Sequence, residues 1–299
     1  MDKIKISFHG FWPRFLEDEQ NNVSFFKELF SGLGDILIQN DPDKSDILVS
    51  TYGHEQELRD KAINVLYICE PSNNKEGWDL VIAGIDESKY NFPIINTPLF
   101  VSYLYCNNLL DKCLNRVPKT SIPSKFCCWI TSNANCQERN NIFHILNIYK
   151  KVDSTGLKLN NTGHLLTCPW GSQEFYDYIS QYKFVICAEN SDMEQYITEK
   201  IFHGYISRTI PIYWGTKYMK TIFHPNSYIY LENTNEKSYY DLLNKVIEID
   251  NDDKKWLSMI NSPVFINNQL PQDLQMDTLK EKVITHIQNI KSKKFNLSI

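Results

Sequence analysis

Two α/β domains, each a mostly parallel sheet flanked by helices, are what this sequence predicts. Three observations lead there. Short apolar runs alternate with longer helical patterns along the chain. The stretch "NRVPKTSIPSK" (115–125), with two prolines, interrupts that alternation as a linker. Beyond it the strand–helix pattern starts again. With 299 residues, two such domains can each bury a core.

The elements follow in order. "KIKISFHGF" (3–11) reads as a first strand, and "NVSFFKELFSGLG" as a helix ending on Gly34. "DILIQN" and "SDILVST" are strands, and a polar helix is expected around "EQELRDKAIN". "VLYICE" (65–70) and "WDLVIAG" (78–84) are buried strands, and "PLFVSYLYCNNLLDKCL" is a helix closing the first half. After the linker come the strand "KFCCWITSN" (125–133) and the helices "CQERNNIFHILNIYKK" and "SQEFYDYISQ". The strand "YKFVICAEN", the helix "YITEKIFHGYISR" and the strands "TIPIYWG" and "SYIYLEN" (227–233) complete the second alternation. "KSYYDLLNKVIEID", "DDKKWLSMI" and "LKEKVITHIQNIK" are helical by period. The domains are expected at 1–120 and 121–299, the second including the C-terminal helices.

Hydrophobic residues make up 42% of the chain and charged residues 22%, an ordinary globular balance. The 31 Lys and Arg against 36 Asp and Glu give a net charge of −5, which counts against a nucleic-acid partner. The eight cysteines form no C-x-x-C pair and no zinc-finger spacing. Several sit in apolar runs ("LYICE", "KFCCWI", "FVICAE"), which favours reduced core thiols over a disulfide framework. The N-terminal "MDKIKISFHGFWPRF" has no signal-peptide core, and nowhere do 18 apolar residues run together. A cytoplasmic protein without a transmembrane segment is expected, with peripheral membrane contact left open. Sequons at Asn22, Asn160 and Asn296 carry little weight without a secretory signal.

In open α/β sheets ligands bind at the carboxyl ends of the strands, so the residues after each strand are the candidates. "FVICA" runs into Glu189, Asn190 and Ser191, expected at the mouth of a crevice between the domains. A helix through 196–208 would put Tyr196, Glu199, Lys200 and His203 on one face. Its start is capped either by Ser191 with Glu194 or by Thr198. A helix N-terminus with a lysine suits a phosphate, and a carboxylate suits sugar hydroxyls. The alternative is a surface charge pair beside a rim aromatic. Arg139, after "WITSNANCQE", could clamp a diphosphate bidentately or simply be solvated. Glu70, directly after "VLYIC", is either a general base or a loop carboxylate in water. "GLG" at 32–34 lacks the third glycine of a dinucleotide fingerprint. "DPD" at 41–43 reads as a turn rather than a metal-binding D-x-D. His203 is expected to pack or meet solvent.

The joined stretch "YKFVICAENSDMEQYITEKIFHGYISRTIPIYWG" (182–215) closely resembles the signature segment of the α-1,3/4-fucosyltransferases, glycosyltransferase family 10. "ITSNANCQERN", "HPNSYIYLEN" and "VLYICEPS" extend the resemblance more loosely. It implies a GT-B fold, two Rossmann-like domains facing a central cleft, with GDP-fucose bound by the second and the acceptor by the first. Carried over by position, Arg139 and Lys200 would hold the diphosphate. Tyr196 and Asn190 would line the donor site, and Glu199 would contact donor hydroxyls. Glu70 would be the acceptor-side base of an inverting transfer to a hydroxyl of an oligosaccharide or glycoconjugate acceptor. The 3-hydroxyl of GlcNAc in N-acetyllactosamine-type glycans is the implied acceptor. No metal is expected to be required, a divalent ion being at most stimulatory. The sequence departs from the family's glycines with "DMEQ" between the two motifs. A GT-B transferase using another nucleotide sugar, or a non-catalytic glycan- or sugar-nucleotide-binding module, are the competing readings.

Overall fold

The computed structural model describes residues 3–20, 22–51, 58–68 and 77–295. They fall into two compact units. The first is Met1–Asn108 with Glu194–Tyr196 and Leu270–Ile299, and the second is Leu109–Met193 with Ile197–Gln269. This grouping differs from a division at 120/121 in the linker, the short stretch Glu194–Tyr196 and the last helix. The linker is tied into the second unit: the Arg116 guanidinium donates to Ser262 O at 3.2 Å and Ile260 O at 2.6 Å. The last helix belongs to the first unit because its apolar side packs there.

In the first unit the described strands are β1 (Ile4–His9), β2 (Ile36–Ile38), β3 (Ile47–Ser50), β4 (Ile63–Tyr67), β5 (Leu80–Ala83) and β6 (Ile94–Asn96). They pair in parallel in the order β2-β1-β3-β4-β5-β6. Every residue of β3, β4 and β5 is buried, as a parallel sheet covered on both faces requires. The helices are α1 (Ser24–Phe30), α2 (Leu99–Cys106) and the final α9 (Met276–Lys294). Leu279, Val283, Ile287 and Ile290 form the buried stripe of α9 at helical spacing, and Lys294 pairs with Asp79 at 2.6 Å. The described part of "EQELRDKAIN" is not helical; Ile63 and Asn64 already belong to β4, and Asn64 Oδ1 accepts from Arg59 N at 2.8 Å.

The second unit has β7 (Lys125–Trp129), β8 (Val152–Ser154), β9 (Tyr182–Ile186), β10 (Ile210–Tyr213) and β11 (Ile229–Tyr230), all parallel in the order β11-β10-β9-β7-β8. Its helices are α3 (Leu110–Leu114), α4 (Gln137–Tyr149), α5 (Gln173–Ile179), α6 (Lys200–Ser207), α7 (Glu236–Asp250) and α8 (Asp253–Ile260). Alternate strand residues, such as Cys127 and Trp129 or Phe184 and Ile186, join Ile142, Leu146, Val246 and Trp256 in one buried cluster. The helices α5 and α6 pack on each other, and α6 packs on β9 and β10. The described cysteines are all free, Cys113, Cys127, Cys128, Cys136 and Cys187 among the buried residues. Among the described residues no helix is long and apolar enough to cross a membrane.

Candidate functional site

The strand order of the second unit reverses between β7 and β9. At such a switch point the chain leaves two neighbouring strands in opposite directions and opens a crevice at their carboxyl ends. A pocket of about 200 Å³ lies there. Thr131, Ser132 and Asn133 line it after β7, and Ala188 and Asn190 after β9. Arg139 enters from the first turn of α4, and Glu199, Lys200 and His203 from the start of α6. Gly156 lets the chain after β8 approach this wall: a Cβ there would lie 2.0 Å from Thr131 O. A larger groove of about 860 Å³ runs beside β11 and α7 but contains none of Arg139, Asn190, Glu199 and Lys200.

Arg139 is not a solvated helix residue. It is 4% exposed, donates from Nη1 to Asn190 Oδ1 at 2.6 Å, and donates from Nη2 to Asn133 O. The two strand ends are thereby joined through one guanidinium. Lys200 lies 3.5 Å from Glu199 Oε1 and donates to Thr198 Oγ1 at 3.0 Å. Burial works against ionisation of Glu199, yet the Lys200 ammonium beside it takes the carboxyl below its ordinary value. His203 is buried, edge-on to Phe175 at 4.9 Å, and burial holds its pKa down to about 4. It is a neutral ring in the wall, which agrees with a packing role. Four of the residues expected to bind a donor, Arg139, Asn190, Glu199 and Lys200, therefore share one pocket.

Other expectations need correction. The helix starts at Lys200 and not at 196, so Tyr196 precedes it, whereas Glu199 is the N-cap residue with helical φ and ψ and stands one turn before His203. Tyr196 groups with the first unit. Ser191 and Glu194 form no capping box: Glu194 accepts from Asp86 N at 3.2 Å and from Tyr90 OH at 2.7 Å instead. Thr198 Oγ1 is the acceptor nearest the helix start, 3.4 Å from Lys200 N. Glu189 is not at a mouth but fully buried. Glu70 lies outside the described residues. As the sequence reading expects, Asp41 and Asp43 sit in a turn, paired with Lys44 at 2.9 Å and Arg59 at 2.6 Å. Among the described residues no three His, Cys, Asp or Glu side chains are grouped to hold a metal.

Sequence reasoning missed Trp170, which lines the pocket and is 55% exposed. The signal was a large aromatic between Pro169 and Gly171 in a polar loop, where no core strand or helix could claim it.

Two Rossmann-like parallel-sheet units, one with a pocket at its switch point, are the architecture of the GT-B fold class. The same fold is found in the crystal structure of an alpha1,3-fucosyltransferase with GDP-fucose, at TM-score 0.75 and 21% identity, covering 96% of this chain and 91% of that one. The sequence model described as glycosyltransferase family 10 (fucosyltransferase) C-term matches residues 121–293, and the chain belongs to that family. It is 27% identical over 251 residues to a protein of Acanthamoeba polyphaga mimivirus named as a fucosyltransferase. It is 30% identical over 263 residues to the alpha-(1,3)-fucosyltransferase FucT of Helicobacter pylori. These alignments cover 82% and 76% of this chain, but only 40% and 53% of the two relatives.

Proposed function

We propose that the protein transfers L-fucose from GDP-fucose to a hydroxyl of an oligosaccharide or glycoconjugate, inverting the anomeric carbon. The observation that carries this reading is the gathering of Arg139, Asn190, Glu199 and Lys200 on one pocket. The GDP-fucose complex of a protein with this fold and the α-1,3 relative support the donor and the linkage. Arg139 and Lys200 hold the diphosphate, Asn190 and Tyr196 contribute donor contacts, and Glu199 accepts from donor hydroxyls. Glu70 takes the proton of the acceptor hydroxyl as its oxygen bonds to the anomeric carbon. The carbon–oxygen bond to the diphosphate breaks in the same step, and GDP leaves with the electron pair. Negative charge grows on that leaving group, and two fixed cations stabilise it most in the transition state. The acceptor atom in this reading is O3 of GlcNAc in N-acetyllactosamine-type glycans.

Mixing the protein with GDP-fucose and N-acetyllactosamine should release GDP and yield a fucosylated trisaccharide. Turnover of another sugar nucleotide in place of GDP-fucose would contradict the donor assignment. Tight GDP-fucose binding without turnover across an acceptor panel would leave a binding module.

A further inference from the structure

A chain of polar contacts runs beneath the pocket and centres on Glu189, the carboxylate that follows β9. The Thr198 N–H donates to its Oε1 at 2.8 Å, and the Thr198 hydroxyl lies 3.0 Å and 2.8 Å from its two oxygens. The Tyr213 hydroxyl donates to Oε1 at 3.2 Å, and Lys200 Nζ stands 3.4 Å from Oε2. The Thr198 oxygen in turn accepts from the Lys200 ammonium at 3.0 Å. Gly215, with φ at 151°, closes the other side: a Cβ there would lie 2.9 Å from Glu189 Cγ. One carboxylate therefore ties together "AENS", "ITEK" and "IYWG", three stretches separated in sequence.

A packing role alone does not account for this choice of side chain. Burying a carboxylate costs stability, and where a buried ion pair only fills space, well-packed apolar side chains commonly serve as well or better. Burial indeed pushes the Glu189 carboxyl above its ordinary value, against the pull of Lys200. What a fixed carboxylate supplies is direction. It orients the Thr198 hydroxyl so that its lone pairs face Lys200, and it holds the ammonium from a second side.

We propose that Glu189 is a positioning residue: through Thr198 it fixes where the Lys200 ammonium stands at the pocket and so sets the affinity for an anionic donor. The inference rests on Lys200 meeting the diphosphate of that donor. Its rival is electrostatic, since a buried negative charge near the pocket by itself opposes an anion.

GDP titrations and melting curves of the full chain separate these. Thr198→Val removes the hydroxyl while keeping the shape, and should raise the Kd for GDP about tenfold or more. Thr198→Ser should recover most of that loss, because the hydroxyl returns. Glu189→Gln should also raise the Kd, because an amide holds the Thr198 hydroxyl and the Lys200 ammonium less firmly than a carboxylate does. Should Glu189→Gln fail to fold, the Thr198 pair carries the test. Unchanged GDP affinity in Thr198→Val, or tighter binding by Glu189→Gln, would overturn the positioning role. If GDP fails to bind the wild type, or binds Lys200→Ala as tightly, the proposed function fails and the inference with it.

Discussion

The two units share a topology and differ in what they place at its strand ends. In the first, the end of β1 is surrounded by rings: Phe11 stacks on Phe15 at 4.2 Å, and Phe8 meets both Phe15 and Phe26 at 5.2 Å. A pocket of about 510 Å³ lies there, with Trp12 53% exposed on it. In the second, the ends of β7 and β9 carry a buried guanidinium, two carboxylates and an ammonium. A parallel sheet thus fixes where a crevice opens, and the side chains after the strands fix what it can hold. Charge at the second crevice suits a diphosphate. Ring faces at the first crevice suit a neutral, sugar-like ligand.

The sharpest way to break that division is Glu70→Gln. If Glu70 is the base, turnover should fall by about 10²–10⁴-fold while GDP-fucose binding persists, because Arg139 and Lys200, the proposed diphosphate contacts, belong to the second unit. Near-native turnover would remove Glu70 from the mechanism, and lost donor binding would blur the division of labour. A smaller effect concerns His203. Its folded pKa of about 4 lies below the ordinary 6.5, so the unfolded chain binds a proton in that window and the folded one does not. The stability it contributes is complete above pH 6.5 and is lost as pH falls towards 4, by roughly 3 kcal/mol at most. His203→Phe should therefore show a flatter fall in Tm across this window than the wild type. Parallel curves would mean that the wall of the second pocket is wetter than its burial indicates.

Why the second crevice was more legible than the first follows from particular residues. Asn190, Glu199 and Lys200 lie in one segment of 34 residues bounded by long apolar strands, so strand ends and charges could be read together. Arg139 could be placed because it follows a recognisable strand. By contrast, "FHGFWPRF" reads only as the end of a first strand, and the exposure of Trp12 shows only in the fold. The strands β6 and β8, three residues each, are too short to show a period. The start of α6 was misplaced because tertiary contacts decide it: Thr198 is bound to Glu189, and the preceding Glu194 to Asp86 and Tyr90. Neither bond has a signature in local propensity. The allegiance of α9 is equally non-local, since it packs on α1, β4 and β6, far away in sequence.

The central claim is that the switch-point pocket of the second unit binds the diphosphate of a GDP-linked sugar through Arg139 and Lys200. Titration calorimetry with GDP on the wild type, Arg139→Ala and Lys200→Ala tests it most directly. The account expects GDP to bind the wild type in preference to UDP and CMP, and each substitution to weaken it by about 10–100-fold, the worth of a charged hydrogen bond in a partly desolvated site. Equal GDP affinity in all three proteins, or a preference for UDP or CMP, would contradict it.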